Sequence, residues 1–110
     1  MHARVWKFAI LPGKVAEFAA TAKFAKSVLR KEPGYRGFLV LHSGPGEKLE
    51  ATVVSVWESL VALRESENSG FKEALARAMA FCEPRPTMRE EEVVLSDFIA
   101  PDPDDTLTDL

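Results

Sequence analysis

An α+β fold with the element order βαββαβ is what this sequence predicts, and three observations predict it. Apolar, β-prone runs open the chain and recur around residues 38–42 and 51–57; two helical segments with apolar spacing of three and four residues separate them; and proline and glycine fall where each element has to stop. With 110 residues, 46% of them hydrophobic, the chain has the size and apolar content of one domain with one core.

The elements follow in order. Ala3 to Ile10 reads as a first strand, ended by Pro12-Gly13, and proline near a helix start is well tolerated. Val15, Phe18, Ala22, Ala25 and Leu29 then place one apolar stripe on a helix that stops before Pro33-Gly34, while Lys14, Glu17 and Lys31 mark its solvent side. Phe38 to His42 and Ala51 to Trp57 form a strand pair joined by the turn-rich run Ser43 to Lys48. Ser59 can cap a second helix, expected to break near Asn68-Ser69-Gly70. It resumes with Phe71, Leu75, Ala78 and Phe81, until Pro84 and Pro86 forbid its continuation. A last strand is expected from about Glu92 to Ile99. The expected organisation is a domain over residues 1–99 and a loosely packed acidic tail over 100–110, punctuated by Pro101 and Pro103.

In this order the elements give a ferredoxin-like arrangement, with both helical segments on one face of a four-stranded antiparallel sheet. The other face then needs a cover, because strands two and three are apolar on both parities: Phe38 and Val40 against Leu39 and Leu41, Val54 and Val56 against Val53 and Trp57. A second copy is the expected cover, making a homodimer with Val5, Leu39, Leu41 and Val53 in its contact face.

Composition excludes several function classes. The net charge is −3, and Asp102, Asp104, Asp105 and Asp109 more than account for it, leaving +1 for the rest of the chain. So neutral a body has no electrostatic footprint for nucleic acid or an anionic membrane. The longest apolar runs fall far short of the roughly 20 residues a membrane helix needs. Met1 to Arg4 leads straight into the strand pattern without the features of a signal peptide, so a cytoplasmic location is expected. Cys82, the single cysteine, reads as small core filler. Gly44 to Lys48 precedes a strand rather than a helix and so is not a phosphate loop. Asp102, Asp104 and Asp105 lack the glycine turn and closing glutamate of a calcium loop; no metal site is expected. Arg36-Gly37-Phe38 echoes the start of the RNA-recognition octamer, but Leu39 and Val40 break that pattern and the segment lies on the second strand rather than the third.

Four stretches resemble the antibiotic biosynthesis monooxygenase family of dimeric α/β barrels, over about Ala3 to Ile99. They are Leu11-Pro12-Gly13-Lys14 with Phe18 behind it, Pro33-Gly34-Tyr35-Arg36-Gly37-Phe38, Val56-Trp57-Glu58-Ser59, and Phe71-Lys72. The resemblance implies a dimeric α/β barrel and a small-molecule site, and the family's activities include cofactor-independent oxygenation of quinols and polycyclic aromatics and haem degradation. Quinol-type members carry histidines just before the Phe-Lys pair; Gly70 and Ser66-Glu67-Asn68 stand there here. The haem-degrading pattern of asparagine, tryptophan and histidine falls on Trp6, on Arg64 or Glu65, and on Leu75, so no haem and no other bound cofactor is expected.

The candidate site follows. His42 shares the parity of Phe38 and Val40 and is the nominated base for a phenolic substrate. Trp6, Phe8, Trp57 and Phe71 are the candidate walls for a flat aromatic ligand. The expected function is binding of a small aromatic molecule, with cofactor-independent monooxygenation as its chemical use. The alternative is a non-catalytic binding or interaction module on the same dimeric fold.

Overall fold

The computed structural model describes residues 1–44 and 49–97. Its elements are β1 (His2–Ile10), α1 (Val15–Leu29), β2 (Tyr35–Ser43), β3 (Leu49–Trp57), α2 (Leu60–Glu65), a 3-10 turn (Ser66–Asn68), α3 (Phe71–Met79) and β4 (Thr87–Glu92). The four strands form one antiparallel sheet in the order β2-β3-β1-β4, so the fold is the expected ferredoxin-like α+β arrangement. The residues of the expected hairpin turn from Pro45 to Lys48, and those of the acidic tail, lie outside the described residues.

The register fixes which side chains face the helices. Trp6 stands opposite Val53 and Met88, Arg4 opposite Ser55 and Glu90, and Phe8 opposite Ala51. Since side chains alternate along a strand, Arg4, Trp6, Phe8 and Ile10 share one face with Ala51, Val53, Ser55 and Trp57. Against that face α1 buries Phe18, Ala19, Thr21, Ala22, Ala25 and Leu29, four of them the predicted stripe. Two clusters result. Phe8, Ile10, Phe18, Ala51, Ala78 and Cys82 form one, and Leu29, Trp57 and Leu63 the other.

The second helical segment breaks as predicted. Ser59 caps α2, its Oγ accepting from the Ala62 N–H at 3.0 Å, and Ser66 and Ser69 hydroxyls then donate to the Leu63 and Ser66 carbonyls at 2.5 and 2.6 Å. Hydroxyls that satisfy local carbonyls in this way end a helix cleanly, and α3 restarts after Gly70. Phe81, expected on this helix, lies two residues beyond its end.

Two of the family-like stretches meet in space. Gly34 adopts a φ of 83°, its carbonyl accepts from the Glu58 N–H at 2.8 Å, and a Cβ built on it would lie 2.5 Å from the Ala62 Cβ. Only glycine satisfies both the left-handed backbone and that approach. Arg36 then pairs with the Glu58 carboxylate at 2.9 Å, and Tyr35 meets Trp57 edge to face with centroids 5.8 Å apart.

The fourth strand departs from expectation. It runs over Thr87–Glu92, whereas the expected strand starts at about Glu92, and all six residues are exposed; Phe98 and Ile99, the end of the expected strand, lie outside the described residues. Residues Thr87 to Glu92 already fill the β1 rows from Lys7 to His2, and Val93 adds one bond from its N–H to the Met1 carbonyl at 2.9 Å. Past Val93 there is no β1 row left to pair with, and Val94 and Leu95 stand 92% and 90% exposed.

Candidate functional site

Between the sheet and the helices lies a cavity of about 30 Å³. Its sheet wall is Trp6, Phe8 and Val53; its α1 wall is Phe18, Thr21, Ala22 and Ala25; its α3 wall is Phe71, Ala74, Leu75 and Ala78. The helices contribute small side chains at their closest approach, which is why any space is left. The aromatic side chains are arranged in series: Trp6 stacks on Phe8 at 5.7 Å and 17°, Phe8 meets Phe18 edge to face at 5.5 Å, and Phe71 tilts over Trp6 at 6.3 Å. No charged residue lines the space. As it stands it has room for about two waters by the usual measure, so a larger guest has to move the walls.

Polar groups in the wall are few. Thr21 Oγ1 donates to the Glu17 carbonyl at 2.9 Å and is thereby satisfied as a donor. The Trp6 indole N–H is buried and has no partner. Two residues from Trp6 on the same face of β1 stands Arg4, 3% exposed, with its guanidinium carbon 6.0 Å from the Phe71 ring centroid. Its Nη2 pairs with Glu67 at 2.6 Å and with Glu90 at 3.5 Å, and Arg64 joins Glu90 at 3.4 Å. The Arg64 hydrogen bond, reinforced by Arg4, holds the Glu90 carboxyl below the usual carboxylate range. Two arginines and two glutamates leave this cluster without net charge.

The sequence-predicted residues separate into three groups. Trp6, Phe8 and Phe71 line the cavity. Trp57 faces the helices but is fully buried in the other core cluster, its indole N–H donating to Ser55 Oγ at 3.0 Å, so it forms no part of the cavity wall. Val53, expected on the outer face, is opposite Trp6 and lines the cavity; Val54, opposite Val5 and Leu39, is the outward residue. Parity itself places Val53 correctly: Trp57 and Val53 are four residues apart and must share a face, so assigning Trp57 to the helix side and Val53 to the outer side is inconsistent.

His42 lies on the helix-side parity, as expected, but on β2, across Ala51 from Phe8 rather than in the cavity wall. Burial pushes its pKa below the ordinary 6.5, and its Nε2 is buried without a partner. Cys82 is buried, and burial raises its thiol to about 11, which leaves no thiolate for chemistry at neutral pH. Leu75, where the resemblance places a haem ligand, presents an apolar side chain. Arg4 and its acidic partners were not singled out from the sequence, although an arginine on the parity of Trp6 and Phe8 is itself a signal. The outer face carries Leu39 and Leu41 at 50% and 51% exposure beside half-buried Val5 and Val54. Among the described residues no helix is long and apolar enough to cross a membrane, and no group of three or more His, Cys, Asp or Glu side chains is placed to hold a metal.

An apolar interior cavity under a ferredoxin-like sheet defines the class of protein. Residues 1–80 match the antibiotic biosynthesis monooxygenase family, and the chain belongs to it. Solved structures agree on the fold. A protein proposed to be an antibiotic biosynthesis monooxygenase from Nitrosomonas europaea aligns with a TM-score of 0.75 at 9% identity, over 86% of this chain and 100% of that one. A single-residue variant of SnoaB, a cofactor-independent oxygenase from Streptomyces nogalater, aligns at 0.72 and 14% identity, over 86% and 95%. A conserved protein from Methanosarcina mazei Go1 aligns at 0.70 and 22% identity, over 82% and 90%. No curated protein matches the sequence.

The His42 environment gives a test by pH. Its folded pKa is depressed, so between that value and 6.5 the unfolded chain binds more protons than the native one. Stability from this group is present above 6.5 and is lost as the pH falls through the folded value. The urea midpoint should therefore drop from about pH 7.5 to about pH 5.5, and His42→Gln should flatten that part of the curve. Identical curves for the two proteins would contradict the assignment.

Proposed function

We propose that this chain binds a small aromatic molecule in the cavity between sheet and helices, and that the chemical use of the site is cofactor-independent oxygenation of a quinol or other electron-rich aromatic. The observation that carries the reading is the unbroken apolar wall with an aromatic series on it, Trp6 on Phe8 on Phe18 with Phe71 above. Flat rings stack on such surfaces, and apolar walls keep water from a reactive carbanion or phenolate. Family membership and the likeness to SnoaB support the same chemistry. His42 is the nominated base: burial keeps it neutral, and its Nε2 has no competing partner. To reach it, a substrate extends from the cavity past Ala51, a single methyl on the intervening strand.

A second reading rests on its own observation. A cavity of about 30 Å³ with no base in its wall fits a binding or interaction module that kept the fold without the chemistry. Oxygen uptake across a quinol and anthrone panel separates the two. Consumption by the wild type, reduced roughly 100-fold or more in His42→Ala, is the expected result, in line with the usual contribution of a general base. A flat wild-type trace removes the oxygenase reading, and full activity in His42→Ala removes the base.

The working unit is proposed to be a homodimer closed over the outer sheet face. Leu39 and Leu41 keep half their surface in water, and covering it contributes on the order of 1 kcal/mol for each leucine. Val94 and Leu95 add apolar surface that none of the described residues covers. Leu41→Glu would place an unpaired carboxylate at the centre of that contact, whereas Lys14→Glu changes a solvated residue on the helical side. Light scattering behind size exclusion should give about twice the 12.2 kDa chain mass for the wild type and Lys14→Glu, and the single-chain mass for Leu41→Glu. A monomeric wild type, or a dimeric Leu41→Glu protein, contradicts the interface.

A further inference from the structure

We infer that the Trp6 indole N–H is the polar anchor of the cavity, selecting an aromatic ligand that carries a neutral acceptor oxygen, a ring carbonyl, over both the bare hydrocarbon and the corresponding carboxylate. The inference rests on the reading of the cavity as the ligand site and adds to it which oxygen chemistry the site accepts. A buried N–H without a partner costs free energy, and on a ligand-facing wall it is offset when the ligand supplies the acceptor. Trp6 is the residue in this position: it lines the cavity and its Nε1 is buried and unpartnered. Thr21 brings the other polar group of the wall, but its hydroxyl hydrogen is already given to the Glu17 carbonyl. A carbonyl needs only a donor, so one free N–H satisfies it.

Charge decides between a carbonyl and a carboxylate. The wall contains no cation. The buried cation, Arg4, is not in the cavity lining and is compensated by Glu67 and Glu90, with Arg64 bridging to Glu90. A carboxylate in the cavity would be an anion without a counter-charge among apolar walls, and the two glutamates would repel it. Trp6 therefore acts as a selectivity element, and its stacking on Phe8 fixes the ring plane from which the N–H projects.

Calorimetric titration with 1-indanone, indane and indane-1-carboxylate tests this, alongside the carbonyl stretching band of bound carbon-13-labelled 1-indanone. The expected result is that 1-indanone binds about tenfold tighter than indane, as one hydrogen bond to an otherwise orphaned donor provides, and that the carboxylate binds more weakly than the ketone. Trp6→Phe reshapes the wall for every ligand, so the readout is the ratio: the preference for 1-indanone over indane should fall to about one, whatever the variant does to the affinity of both. In the wild type the carbonyl band should shift to lower frequency on binding, a readout that needs no variant. Equal binding of ketone and hydrocarbon, an unshifted band, or a carboxylate preferred over the ketone overturns the inference and leaves the cavity as a plain apolar site. Failure of all three probes to bind overturns the underlying ligand-site reading with it.

Discussion

The pairing of Trp6 with Val53 across β1 and β3 is the constraint on which the rest of the structure depends. A shift of one residue would exchange the two faces of the sheet, since side chains alternate with a period of two. In the observed register Phe8, Trp6 and Val53 point to the helices and enclose the cavity, while Val5, Val54 and Leu39 form a row on the other face. One register therefore sets both the cavity-side surface and the outer apolar surface. The central strands β1 and β3 hold it by pairing over nine rows, from His2 with Trp57 to Ile10 with Leu49.

Above that frame the helices set the size of the space. Ala22, Ala25, Ala74 and Ala78 let α1 and α3 come close, and Phe18, Phe71 and Leu75 fill most of what remains. Close packing of this kind transmits strain, so a bound ring has to displace a helix rather than fill a ready void. Between α2 and α3 the 3-10 turn Ser66–Asn68 is held in part by serine hydroxyls that donate to the Leu63 and Ser66 carbonyls. The charged cluster of Arg4, Glu67, Glu90 and Arg64 ties that same turn to β1 and β4, with Glu67 in the turn itself. It anchors the turn to the sheet, and none of its four residues lines the cavity.

Much of this frame was legible in the sequence, and the misses have physical causes. The helix break was readable because serines and glycine cluster at 66–70, and the α1 stripe because its spacing is regular. Trp6 and Phe8 fell on the correct face because β1 alternates with Lys7 and Ala9, both exposed. Val53 did not: β3 is apolar on both faces, so its outer-face assignment met no polar residue to correct it, although the four-residue spacing from Trp57 already put both on one face. The last strand was sought in the apolar run after Glu92, whereas the edge position favours the charged, exposed Thr87–Glu92, as edges open to solvent generally do. His42 was placed on the correct face but not at the cavity, since parity specifies a face and says nothing of position across the sheet.

The account stands on the claim that the two faces have different occupants, a small aromatic guest on the helix side and a second chain on the other. Nitrogen-15 chemical-shift mapping during titration with 1-indanone reads both faces at once. The predicted result is that the Trp6 indole signal and the amides of Phe8, Thr21, Val53 and Ala74 move together and saturably, while Leu39, Leu41 and Val54 stay in place. Shifts confined to Leu39, Leu41 and Val54, with the Trp6 indole unmoved, would contradict it.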